Sequence, residues 1–204
     1  ETGVGQILAA TQVSTRAYLL AKWLSNFAVL SAIVLTLAVA AVVLHFVQAD
    51  PVRLDLLALL TPLALLALPA MAVVAGFAVL FETVPGLSGG VGNFAYFFVW
   101  SAALAAPFAA RAPWADWSGI TFVQTSLLAA VHTHTPGAVA RISFRGGPAR
   151  DLSQMILINW TGIDWTPGTI IMRLSWIAVS ALVVLGASTW FDRFDAVSAG
   201  AESH

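Results

Sequence analysis

The chain has no cysteine, and Lys22 is the one lysine among its 204 residues. The first absence excludes disulfides and thiolate metal sites, and it leaves the redox compartment open. The second excludes ATP hydrolysis through a phosphate-binding loop. Gly86, Gly89, Gly90 and Gly92 are dense enough to resemble such a loop, but no Lys-Ser/Thr pair follows them. Charge of either sign is scarce. Charged residues make up 9% of the chain against 59% hydrophobic, with a net charge of −1. A soluble domain runs near about 25% charged. No basic run or stripe is present, so nucleic acid is not an expected partner. No charged stretch precedes an apolar core in residues 1–23, so that segment does not read as a signal peptide.

What is abundant is apolar surface. The mean hydropathy is +0.88, and a chain of this length buries only about 70% of the surface it exposes when unfolded. The surplus must meet lipid. Leu24 to Phe46 carries no charge and would extend about 35 Å as a helix, enough for a hydrocarbon core of roughly 30 Å. A polar turn with Asp50, Pro51, Arg53 and Asp55 follows. The second run, at about 56–81, contains Pro62 and Pro69, which membrane helices tolerate as kinks. Residues 82–93 form a Gly/Pro-rich connector opening on Glu82, an ordinary boundary position beside a turn. The third run, about 94–110, begins with Phe94, Tyr96, Phe97, Phe98 and Trp100, the composition of an interfacial aromatic belt. The last, 170–191, holds Arg173 one turn from its start, where it is expected to snorkel toward water. The chain is thus expected to be all-α, a polytopic membrane helix bundle with about four crossings and a polar tail at 192–204.

Between the last two runs, 112–169 is different. It carries Trp114, Trp117, Trp160 and Trp165 of the eight tryptophans. Near 120–131 lies an apolar piece too short to cross, expected to be an interfacial or re-entrant helix. His132 and His134 stand at i and i+2, which share a face on a strand but not on a helix. No third ligand lies at a usual spacing, so they read as part of a polar loop and not as a metal site.

The first segment, 1–23, is mildly amphipathic, with Ser14 placed to cap a helix running into the first crossing. Within it, Gly5 to Trp23 (GQILAATQVSTRAYLLAKW) resembles the segment before the third membrane helix of ABC-2 type permeases, the membrane subunits of ATP-binding-cassette exporters. Ile7 to Thr11, Val13-Ser14, Tyr18 to Leu20 and Lys22 follow the family pattern; Gln12 replaces its usual proline and Ala21 its usual glycine. Trp190 to Asp195 also looks like the close of the family's last helix.

The resemblance implies that 1–23 is a cytoplasmic coupling segment docking on a separate ATPase subunit, through Leu8, Thr11, Val13, Ser14, Arg16, Tyr18 and Lys22. It implies a second permease copy or homologue, the bacterial cytoplasmic (inner) membrane as location, and no cofactor. The family's first two helices would precede residue 1. Both ends would be cytoplasmic and 112–169 extracytoplasmic. Raw counting of positive charge gives the reverse, with Arg53, Arg111, Arg141, Arg145 and Arg150 opposite the ends. The resemblance is preferred, because a loop near roughly 60 residues escapes the charge rule. The alternative function is a membrane-embedded enzyme or assembly factor with its site in 112–169.

Overall fold

The computed structural model describes residues 14–48, 56–83, 90–110, 113–134, 160 and 162–189. Among these residues the regular structure is entirely helical. Helix α1 spans Thr15–Gln48, α2 Leu56–Thr83, α3 Gly90–Ala110, α4 Ile120–His134 and α5 Pro167–Ala187. A turn of 3-10 helix, Pro113–Ala115, lies between α3 and α4.

Three of these helices, α1, α2 and α5, are long and apolar enough to cross a bilayer. The protein is a membrane protein, and its surface agrees: Leu24, Val29, Leu35, Phe46 and Val47 of α1 and Leu182 of α5 all stand exposed. The third apolar run is shorter than the sequence implied. The apolar part of α3 is Phe94–Pro107, about 21 Å of helix.

Element boundaries moved for local reasons. Helix α1 starts well inside the amphipathic segment, because Ser14 caps it: Ala17 N–H donates to Ser14 Oγ at 3.3 Å. Helix α3 begins at Gly90, within the connector expected at 82–93. His132 and His134 are not in a loop; both lie in the last turn of α4. Helix α5 is capped by Thr166, whose side chain accepts from Thr169 N–H, and Pro167 follows where a missing N–H costs nothing. The segment 135–159 and the Trp190 to Asp195 ending lie outside the described residues.

Contacts fix the directions of the helices. Leu19 and Trp23 near the start of α1 pack with Ala72, Ala75 and Val79 of α2 and Val184 of α5. So the start of α1 and the ends of α2 and α5 share one end of the bundle. Helix α3 runs antiparallel to α2, since Phe81 meets Tyr96 and Phe77 meets Trp100. The aromatic cluster at its start therefore divides: Tyr96 and Trp100 turn to α2, while Phe94, Phe97 and Phe98 are exposed.

Lipid removes the hydrophobic force between helices, so close approach and polar contacts must hold them. Ala72, Ala75, Gly76 and Val79 supply a stripe of small buried side chains on α2. Ser180 of α5 enters it. Its Oγ donates to the Ala72 carbonyl at 2.6 Å. Trp23 Nε1 donates to that carbonyl and to Ser180 Oγ, each at 3.0 Å. One hydroxyl thus joins three helices, and Gly76 makes room for it. A Cβ at Gly76 would lie 2.5 Å from Ser180 Oγ.

Candidate functional site

At the bundle end where α1 starts, four of the expected coupling residues are described. Ser14 caps α1. Arg16 is exposed. Tyr18 packs on the Leu19, Trp23 and Ala72 cluster. Lys22 forms an ion pair with Glu82 in the last turn of α2. Leu8, Thr11 and Val13 lie outside the described residues. Glu82 is more than a boundary residue: with Lys22 it ties the start of α1 to the end of α2. Both side chains are partly exposed, so the pair contributes at most about 1 kcal/mol. Its value is positional.

At the other end the sequence missed a buried ionic centre. Arg173 does not snorkel; it is 0% exposed, as is Asp116. The reason begins in α2. Pro69 has no N–H to give to the carbonyl four residues back, that of Leu65. Next to it the helix loosens into a π turn, Leu63–Ala67. Arg173 Nε donates to the Leu65 carbonyl at 3.3 Å. Its other nitrogens donate to the carbonyls of Asp116 and, at 3.0 Å, Trp117. The guanidinium also lies 5.8 Å from the Phe122 ring centre, within cation–π range.

Asp116 supplies the countercharge. Its carboxylate accepts from Ser118 Oγ at 2.7 Å and from the Gly119 and Thr121 N–H groups at 2.8 Å, as well as from Thr121 Oγ1. These are the amides that the start of α4 leaves without helical partners. Burial alone would raise the Asp116 carboxyl, but the hydrogen bonds from Thr121, Ser118 and Gly119 together hold it below its ordinary value of 3.8. Gly119 has φ of +83°, and a Cβ there would meet Leu66 at 2.7 Å and Arg173 Nη2 at 3.1 Å. Only glycine fits both the backbone and the space. Trp117 completes the joint, donating from Nε1 to the Ala103 carbonyl of α3 at 3.0 Å.

Above this centre in the chain, α4 and the residues leading into α5 enclose an open cleft of about 550 Å³. Ser126 fastens its two walls. It donates to the Gly162 carbonyl at 2.7 Å and accepts from Trp160 Nε1 at 2.9 Å. Phe122, Ala129 and Ala130 line one wall, Trp160, Ile163 and Asp164 the other, and His134 stands at its margin on α4. The volume is that of a small-molecule site. No three His, Cys, Asp or Glu side chains gather into a metal-binding set among the described residues.

The signals for the ionic centre were in the chain. An arginine inside an apolar run is costly and calls for partners, and Pro69 freed one of them. What the sequence did not display was that residues 116–117 fold back to Leu65 and Arg173. The cleft was hidden for the same reason, since its walls lie on either side of 135–159. Compared with known proteins, the chain matches no family model, no curated protein and no solved structure.

Proposed function

We propose that this chain is the membrane subunit of an ATP-driven exporter of the ABC-2 permease kind, working in the bacterial cytoplasmic membrane. In this reading α3 is a fourth crossing, a second permease copy completes the path, and a separate ATPase docks on 1–23. The observation that carries it is the continuity from the coupling-like segment into α1. Residues Tyr18, Lys22 and Trp23, at the start of that helix, touch α2 and α5 as well. A push on 1–23 would therefore reach three helices at the same end of the bundle, which is what a drive shaft for rocking the bundle needs.

The test is co-purification of the tagged full chain with its ATPase, followed by ATP turnover in the complex. Arg16→Glu reverses an exposed charge on the docking segment. It is expected to lower transport-linked turnover several-fold while the thermal melt of the membrane part is unchanged. Wild-type turnover in that variant would overturn the proposal. A second reading, an enzyme or assembly factor with its site in 112–169, draws on the cleft. Against catalysis, the Ser126 hydroxyl proton is engaged by a backbone carbonyl and not by a base. Loss of an activity on His134→Ala, with no ATPase recovered, would favour it.

A further inference from the structure

The cleft between α4 and residues 160–164 is chemically one-sided. Most of the side-chain donors among its described residues are already engaged, Thr169 Oγ1 sharing one hydrogen with Thr166 Oγ1. Ser126 donates to Gly162 O and Trp160 Nε1 to Ser126. Thr125 Oγ1 donates to the carbonyls of Thr121 and Phe122 at 2.9 and 3.1 Å. Thr133 Oγ1 donates to the Ala130 carbonyl at 2.8 Å. His134 Nδ1 lies 2.9 Å from the same carbonyl. A carbonyl only accepts, so the Nδ1 contact with it is a donation from the ring.

Among the described side chains, what remains to meet a ligand are chiefly acceptors: hydroxyl lone pairs and the Asp164 carboxylate. Among the described residues the Asp164 side chain has no hydrogen bond or ion pair, and it lines the cleft together with the half-exposed Trp160. The nearby Arg173 charge does not offset Asp164, because three carbonyls and Asp116 already match it.

We propose that this cleft binds an organic ammonium, with its N–H donors on Asp164 and the hydroxyl oxygens and its apolar body against Trp160, Phe122 and Ile163. A wall of acceptors bearing one negative charge rejects carboxylates and phosphates, which bring no donors. It rewards a protonated amine, which brings up to three and a charge of the right sign. The aromatic walls add a cation–π contribution. The site does not depend on the exporter reading. It lies at the end of the bundle away from residues 14–22, and occupancy requires no ATPase.

The experiment titrates the purified full chain in detergent with benzylammonium, benzyl alcohol and benzoate, followed by calorimetry and tryptophan fluorescence. Benzylammonium is expected to bind saturably at one site, and its fluorescence response to vanish in Trp160→Phe. Asp164→Asn is expected to weaken binding at least about tenfold. Because the Asp164 side chain is exposed and makes no hydrogen bond or ion pair among the described residues, that variant should melt like the wild type. Ala129→Leu, which narrows the cleft and leaves Asp164 in place, should also weaken binding. Undiminished binding in Asp164→Asn, or benzyl alcohol or benzoate binding as tightly as the ammonium, would overturn the proposal.

Discussion

Asp116 accepts four hydrogen bonds with its two oxygens and stands beside the charge of Arg173. Its folded carboxyl is held below the ordinary 3.8, so ionisation stabilises the fold at any pH above that range and the benefit fades as pH falls through it. Asp116→Asn should lower stability by about 2 kcal/mol at neutral pH. The gap to the wild type should close as pH drops below about 4, which thermal melts of both proteins across pH would measure. A gap that stayed constant to pH 3 would contradict the assignment. Of this centre, the sequence showed only an arginine near the start of an apolar run, which was expected to snorkel toward water and is buried. Which partners it found depended on a proline four residues beyond Leu65, a rule of local backbone chemistry, and on a chain reversal at Asp116 that no periodicity encodes.

Among the elements, the contact of α2 with α5 is set by a hydroxyl and a missing side chain. Gly76→Ala would press a methyl against Ser180 Oγ, and that oxygen cannot turn away without releasing the Ala72 carbonyl and Trp23. The expected cost is about 1–2 kcal/mol. Ser180→Ala removes the clash, since the next nearest Ser180 atom to that position is 3.7 Å away. The two substitutions together should therefore cost less than the sum of each alone, as a double-mutant cycle of melting midpoints would report. Strict additivity would mean the helices do not meet through this pair. Helices themselves were legible wherever apolar runs were long: α1, α2 and α5 fall where the runs at 24–46, 56–81 and 170–191 placed them. Their ends were less so. Ser14 caps α1 where the sequence placed a cap, but α3 begins at Gly90 inside the expected connector and Thr166 caps α5 ahead of its apolar run, effects a hydropathy run does not register.

For the molecule as a whole, the arrangement makes a claim about sidedness. The start of α1 and the end of α5 lie together, while α4 is fastened through Ser126 to the residues that lead into α5 at its opposite end. Native cysteine is absent, so single replacements give clean labels. In intact cells an impermeant maleimide should discriminate Arg16→Cys and Thr189→Cys from Thr125→Cys. The first two should behave alike, and the third should be labelled oppositely. Thr125→Cys and Thr189→Cys reacting from the same face would refute the arrangement. The ionic centre also bears on how the chain is made. A helix carrying an unpartnered arginine meets a cost on entering lipid, up to about 2.5–3.5 kcal/mol for a residue at the helix centre. Every group that answers Arg173 — Leu65, Asp116 and Trp117 — precedes it in the chain. When α5 leaves the ribosome its acceptors have already been synthesised, so the last helix can be received by its neighbours and need not survive alone in the bilayer.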